Sequence, residues 1–368
     1  MRAARVEVDL GAVAHNVGVL RTLVAPSLVC VVVKADGYGH GAIAVSEAAL
    51  DAGADWLAVA LIEEAAVLRK AGITAPILLL SQPRLADLSA VVRYDLRVCI
   101  ISFEAVELLA DAARAQNKIV PVHIKVDTGM NRIGVAPADV LALALEVAKR
   151  PELELEGLFT HCAVADEPDN PFTNEQLDRY ESVLAELDAA GLVPKIRHSA
   201  NSATAIAHPR GRYDLVRVGI AVYGIAPIPD LPGTPDLQPA LSLRAEVSMV
   251  KRVSAGEGIS YGLRHRFETD STVATVPIGY ADGVPRRLGL NGGEILIGGR
   301  RRPIVGVVTM DQLMVDCGDD LIELGDEVVL IGTQGKETIT AEEVAGHLDT
   351  IAYEVICGIG PRVPRYYI

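Results

Sequence analysis

The chain has 368 residues, half of them hydrophobic, and 34 basic against 48 acidic side chains leave it 14 net negative charges at neutral pH. That balance argues against nucleic acid as a partner, and an aromatic content of 4% leaves little for base stacking. The same composition excludes a disordered chain, since it can bury a large core, and at roughly 150 residues per domain it should form about two domains.

The start carries Arg2, Arg5, Glu7 and Asp9, which interrupt the region where a signal peptide needs its apolar run. No apolar stretch approaches the roughly 20 residues of a membrane span, so the expectation is a soluble, cytoplasmic protein with no membrane partner. From residue 29 to residue 224 eight short apolar, β-branched runs follow one another, at 29–36, 56–60, 76–80, 96–100, 119–127, 153–161, 196–201 and 215–224. Amphipathic segments separate them, clearest at 104–115, 138–149 and 175–190. Eight strand-helix units in about 200 residues predict a (β/α)8 barrel. An open doubly wound sheet would want a Gly-rich turn after its first strand, and no G-x-G-x-x-G is present.

Beyond about residue 236 the pattern changes to strands with little helix between them, at 241–253, 272–278, 294–297, 302–317 and 327–331. This predicts a separate, mainly β domain. Five prolines and a glycine in 226–239 make a poor helix or strand, which puts the expected division at 1–235 and 236–368, with the first few residues free to join the β domain. Cys30, Cys99, Cys162, Cys317 and Cys357 are scattered without a C-x-x-C pair. They read as small buried hydrophobes, and no metal site is expected.

In a barrel of this kind the active site gathers where the strands end. The first run ends in Val-Val-Val followed by Lys34, with three glycines behind it. A lysine turned into the barrel would be partly desolvated, which lowers its pKa from about 10.4 and favours a nucleophilic or Schiff-base role. The seventh run leads into His198, Asn201 and Ser202, and the eighth reads Val-Arg217-Val-Gly219-Ile220. Strands seven and eight form the usual phosphate corner of such barrels. Asn201 and Ser202 are equally a cap for the helix that follows, and the segment alone leaves both roles open. A desolvated lysine opposite a phosphate corner points to a phosphorylated aldehyde, for which pyridoxal 5'-phosphate is the economical choice.

These residues carry a resemblance that spans nearly the whole chain. Val33-Lys34-Ala-Asp-Gly-Tyr38-Gly-His-Gly, Lys125-Val-Asp-Thr-Gly-Met-Asn-Arg132, Phe159-Thr-His161, His198-Ser-Ala-Asn-Ser202 and Arg217-Val-Gly-Ile-Ala-Val-Tyr-Gly occur in that order. Gly258-Ile-Ser-Tyr261-Gly, Gly279-Tyr280-Ala-Asp-Gly, Met310-Asp311-Gln and Arg362-Val-Pro-Arg follow in the second domain. The set resembles the alanine racemase family, pyridoxal phosphate enzymes of fold type III that interconvert L- and D-alanine and supply D-alanine for peptidoglycan.

The resemblance implies that Lys34 carries the cofactor and acts as one base. It implies that Tyr38, Ser202, Gly219 and Ile220 hold the phosphate, that Asn201 and His161 also belong to the cofactor site, that Arg132 donates to the phenolic oxygen, and that Arg217 meets the ring nitrogen. Tyr261 of the partner subunit would be the second base, tied to Arg217 through His161, so the family likeness implies a homodimer with shared sites. Arg132, Met310, Asp311 and Tyr280 would line the substrate pocket, and Lys125 is the candidate for a carbamylated lysine. Arginine at position 217 disfavours a fold type III decarboxylase, which would place an acid there. A racemase of broader amino-acid range is the other alternative, and a non-catalytic cofactor-binding barrel would lack the second domain. Two departures stand out: Asn131 replaces a common glycine, and Pro361 removes a hydroxyl that some relatives offer.

Overall fold

The computed structural model describes residues 3–368. Arg2, one of the charges read against a signal peptide, lies outside them. Two compact units emerge. One comprises Gly11–Gly37 and Ala42–Pro239; the other joins the opening segment up to Leu10 and Tyr38–Gly41 to Ala240–Ile368. Among the described residues no helix is long and apolar enough to cross a membrane.

The opening strand β1 (Arg5–Val8) belongs to the second unit. The first unit is a barrel of eight parallel strands, β2 (Leu28–Val32), β3 (Trp56–Val59), β4 (Ile77–Leu79), β5 (Val98–Ile100), β6 (Val120–Lys125), β7 (Leu153–Phe159), β8 (Ile196–His198) and β9 (Leu215–Val218). They pair as β4-β3-β2-β9 and β5-β6-β7-β8. Backbone hydrogen bonds from Arg97 to Ile77 and from Leu79 to Arg97 join β4 to β5, and Asp214 to Arg197 and Arg217 to Ala200 join β8 to β9, so the ring closes. The strands are nearly continuous hydrophobic runs because both faces are covered. Val29, Val31, Leu57, Ile77, Val98, Ile124 and Val216 are all buried. The outer helices bury one stripe each: in Phe103–Ala115 this is Ala105, Val106, Leu109, Ala110 and Ala113, and Ser102 caps the start by accepting from Ala105 N–H.

Two strands stop four or more residues before the end of the apolar runs that announce them. β2 ends at Val32, and Ala35, Asp36, Gly37 and Tyr38 then turn left-handed with φ of 52°, 52°, 61° and 53°. β9 ends at Val218, where Gly219 breaks the strand into a short 3-10 turn, Ile220–Tyr223.

In the second unit a seven-stranded sheet runs in the order Arg300–Pro303, Glu294–Ile297, Glu327–Gln334, Leu241–Glu246, β1, Arg365–Tyr367, with Glu337–Ile339 on a side branch. β1 lies antiparallel to Leu241–Glu246 and parallel to Arg365–Tyr367. A second sheet contains Met249–Val253, Ser271–Val276 and Leu313–Asp316. The run 241–253 is therefore two strands in two sheets. It divides where Val247 N–H bonds Asp326 and Ser248 N–H bonds Thr275. The run 302–317 is strand only at its ends, because Gly306 at φ 75° and a turn closed by Thr309 N–H to Gln312 interrupt it. Cys30, Cys99, Cys162 and Cys317 are buried, but Cys357 is exposed, at the end of the short helix Ala352–Cys357.

Candidate active site

Register decides which side chains share a level of the barrel. Lys125 pairs with Phe159 across β6 and β7, and Phe159 pairs with His198 across β7 and β8. Paired residues of parallel strands face the same way, so all three project inward. His198 stacks flat on Phe159, ring centroids 4.7 Å apart, while Lys125 Nζ and the Arg217 guanidinium lie 5.4 Å and 5.3 Å from the same ring. Phe159 thus packs against both cations.

Arg217 is buried and held from three sides. Its Nη2 donates to the carbonyls of Thr160 and Ser199 at 2.8 and 3.0 Å, and its Nη1 to His198 Nδ1 at 2.8 Å. His161 Nδ1 is a longer 3.4 Å from Nη2. Burial lowers the Arg217 pKa to about 10, which leaves it cationic at neutral pH. His161 is held well below the ordinary histidine range by burial first, and then by Arg217, Arg132, Lys125 and Lys34. All four cations therefore act on one imidazole at the barrel mouth. Lys34 itself is half-buried, and Arg132 is exposed.

At the ends of β8 and β9 the capping role read for this segment falls to Asn201. Asn201 caps the helix Ser202–Ala207, its Oδ1 accepting from Thr204 N–H at 2.9 Å. Ser202 is buried, and its Oγ accepts from Gly219 N–H at 3.0 Å. Because that hydroxyl accepts from the protein, its own proton remains directed elsewhere and can donate to an anion. Ile220 is buried next to it. The Ser202 hydroxyl and the Ile220 N–H are donors that fit a phosphate, the Gly219 N–H serving to hold Ser202, and a donor-only arginine fits an unprotonated ring nitrogen.

Lys125 lies near Arg217 and Arg132, and burial together with both arginines lowers its pKa to about 8. Asn131, in the turn before Arg132, has φ 55°, the left-handed region for which glycine is suited. Asparagine tolerates it, and the turn is tied by Asn131 N–H to Asp127 Oδ1 at 3.0 Å and by its side-chain amide to Gly129 O at 3.3 Å. The departure from glycine is accommodated locally.

The second unit gathers the other residues singled out by sequence. Tyr280 N–H bonds Thr309 O, Ala281 N–H bonds Met310 O, and Ser260 Oγ donates to Val307 O at 2.7 Å. The segment 304–312 therefore collects Tyr261, Tyr280, Met310 and Asp311. Tyr261 is 72% exposed, Met310 53% and Tyr280 41%. Asp311 accepts from Arg362 Nη2 at 2.7 Å, and the same arginine pairs with buried Asp282 at 3.3 Å. Pro361 is exposed. Tyr38 is buried, with its ring 6.2 Å from that of Tyr353, and burial pushes its hydroxyl above the usual phenol range.

Three features escaped the sequence. Tyr353 sits in a short helix with nothing in its spacing to single it out. Gln176, buried on the helix Phe172–Ala189, donates to Thr128 Oγ1 and His161 O, both at 3.1 Å, and so fixes the strand end that carries His161. His123 and Glu156, in mid-strand, join His198 in a chain of side-chain hydrogen bonds. A histidine and a glutamate within apolar runs were the available signal for the last pair.

The comparisons agree with this architecture. The alanine racemase N-terminal domain family matches residues 8–227, and the alanine racemase C-terminal domain family matches 240–367. The chain is 51% identical to an alanine racemase of Symbiobacterium thermophilum, covering 100% of this chain and 97% of that one. It is 45% identical to an alanine racemase of Thermobifida fusca, covering 99% and 98%. The crystal structure of an alanine racemase from D-cycloserine-producing Streptomyces lavendulae matches with a TM-score of 0.94 at 40% identity, covering 100% of this chain and 97% of that one. With both domain families matched in order and relatives similar from end to end, the chain belongs to the alanine racemase family.

Proposed function

We propose that the chain interconverts L- and D-alanine with pyridoxal 5'-phosphate as cofactor, as a homodimer whose sites draw on both subunits. The observation that carries the reading is Arg217, buried in the barrel as a donor-only group held by His198 and the carbonyls of Thr160 and Ser199. When bound, the cofactor withdraws electrons from the substrate's α-carbon so that its proton can be removed. Lys34 supplies the amine that holds the aldehyde and moves the α-proton on one face. Ser202, Gly219 and Ile220 hold the phosphate, with Tyr38 adding a hydroxyl. Arg132 donates to the phenolic oxygen.

Arg217 keeps the ring nitrogen unprotonated, because it donates a hydrogen bond without giving up its proton. Held in this way, the ring would be a weaker electron sink, which would favour return of the proton over side reactions. Racemisation needs a second proton carrier on the opposite face, and Tyr261 of the partner subunit is assigned that role, with its exposure as the supporting observation. Met310, Asp311 and Tyr280, exposed beside it, limit the space for the substrate side chain. On this reading D-alanine is made in the cytoplasm for peptidoglycan synthesis. The test is to incubate the purified protein with D-alanine and measure L-alanine and released CO2. L-alanine without CO2 is expected; CO2 release would support a decarboxylase instead. Borohydride reduction should fix the cofactor to Lys34, and mass spectrometry locating it on another lysine would contradict the assignment.

A further inference from the structure

Arg217 is only 3% exposed, and a cation at that depth is stable where acceptors and a counter-charge surround it. Beyond His198 the contacts continue through the barrel. His198 Nε2 lies 2.9 Å from His123 Nδ1, and His123 Nε2 lies 2.9 Å from Glu156 Oε2. Both imidazoles are completely buried. One proton arrangement serves every contact. A guanidinium donates and never accepts, so His198 Nδ1 is the acceptor and the His198 proton sits on Nε2. That proton goes to His123 Nδ1, which leaves the His123 proton on Nε2, aimed at a carboxylate that only accepts. The two ends of the chain impose the same direction. Burial holds both imidazoles below the ordinary histidine range, consistent with neutral rings.

The strands are shaped around this path. The register shifts between Val122 and His123, where β7 advances two residues for one of β6, so Glu156 is the extra residue of a bulge in β7 and Gly157 pairs with His123. A Cβ at position 157 would stand 2.2 Å from His123 Nδ1, so only glycine leaves room for the ring. Trp56 closes the other side, edge-on at 5.7 Å, and Arg97 pairs with Glu156 at 3.5 Å. A bulge and a glycine in the interior of barrel strands weaken them, and here both accommodate one imidazole.

We propose that Glu156 and His123 are positioning residues for Arg217, holding its guanidinium through His198 as a one-way donor, with the Glu156 carboxylate as its remote counter-charge. This rests on the assignment of Arg217 to the cofactor's ring nitrogen. The experiment uses the holoenzyme with 15N-labelled histidine, as wild type and as Glu156→Gln, which keeps the shape but can donate as well as accept. In the wild type His198 and His123 should both be neutral with the proton on Nε2 between about pH 6 and 8. A proton on Nδ1 of either ring overturns the direction of the relay. In Glu156→Gln both Nε2 resonances should move, and kcat should fall about tenfold with KM for alanine within about twofold and cofactor content unchanged. Unchanged resonances and kcat would make Glu156 a structural residue and overturn the proposal. If the variant fails to fold, the wild-type resonances still decide. Lack of alanine racemisation in the wild type would overturn the proposed function separately, since the resonances are read without substrate.

Discussion

Lys125 places its amine in a positive field. Burial and the nearby Arg217 and Arg132 lower its pKa to about 8, so the neutral amine becomes abundant as pH rises through that value. Only the neutral amine attacks CO2; the nitrogen bonds to carbon, a proton leaves, and the resulting carbamate is an anion between two arginines. In 13C-labelled bicarbonate a carbamate resonance assigned to Lys125 should therefore grow as pH rises through about 8, and should be absent in Lys125→Ala. No resonance at about pH 9 would exclude the modification. At this scale much of the site was legible. Lys34, Lys125, His161 and Ser202 lie at or just beyond the end of an apolar run, and His198 and Arg217 are polar residues within two short ones, where a barrel places functional groups. His123 and Glu156 were not, because their meaning lies in partners on three different strands, and a single apolar run shows nothing of register.

The segment after β2 shows what an element adds. Left-handed backbone costs roughly 1–2 kcal/mol for each non-glycine residue, and Ala35, Asp36 and Tyr38 all adopt it. Glu64 supports the turn by accepting from Ala35 N–H at 2.7 Å while its other oxygen accepts from Ala60 and Leu61 N–H at 2.9 and 3.1 Å. Asp36 Oδ1 accepts from Ala42 N–H at 2.8 Å. Three valines followed by Lys-Ala-Asp read as continuing strand, and the turn after Val32 is supported by Asp36 within it and by Glu64, 29 residues beyond Ala35. Gly157 makes the equivalent case in β7. Gly157→Ala should displace the His123 ring, destabilise the barrel by about 1–3 kcal/mol and lower kcat. A variant with unchanged thermal midpoint and kcat would contradict the packing described. Acid acts on the same pair. His123 and His198 stay neutral when folded but take up protons near their ordinary value of 6.5 when unfolded. Stability is therefore kept above that pH and falls below it, by about 1.4 kcal/mol per pH unit for each histidine. Acidifying below about pH 6 should lower the thermal midpoint without either ring titrating in the folded protein; a folded-state titration above that pH would contradict the prediction.

For the whole molecule, the alternation of strand and helix and its loss after residue 236 made the barrel and the β unit legible from sequence. The sequence left the first few residues free to join the β unit, but the pairing of β1 in the seven-stranded sheet was not legible, since four residues near the start give no hint that Leu241–Glu246 and Arg365–Tyr367 flank them. Lys34 belongs to one unit and Tyr261 to the other, and the exposure of Tyr261, Met310 and Tyr280 supports a second subunit over them. The central claim, two proton carriers from two subunits serving one alanine, is tested most directly by mixing variants. Lys34→Ala and Tyr261→Phe should each be nearly inactive in both directions. Under subunit exchange at equal amounts, about half the dimers pair the two variants, and each such dimer has one site with both lesions and one with none. Racemase activity should return to about a quarter of the wild-type value. No recovery, with exchange demonstrated independently, would contradict the shared site.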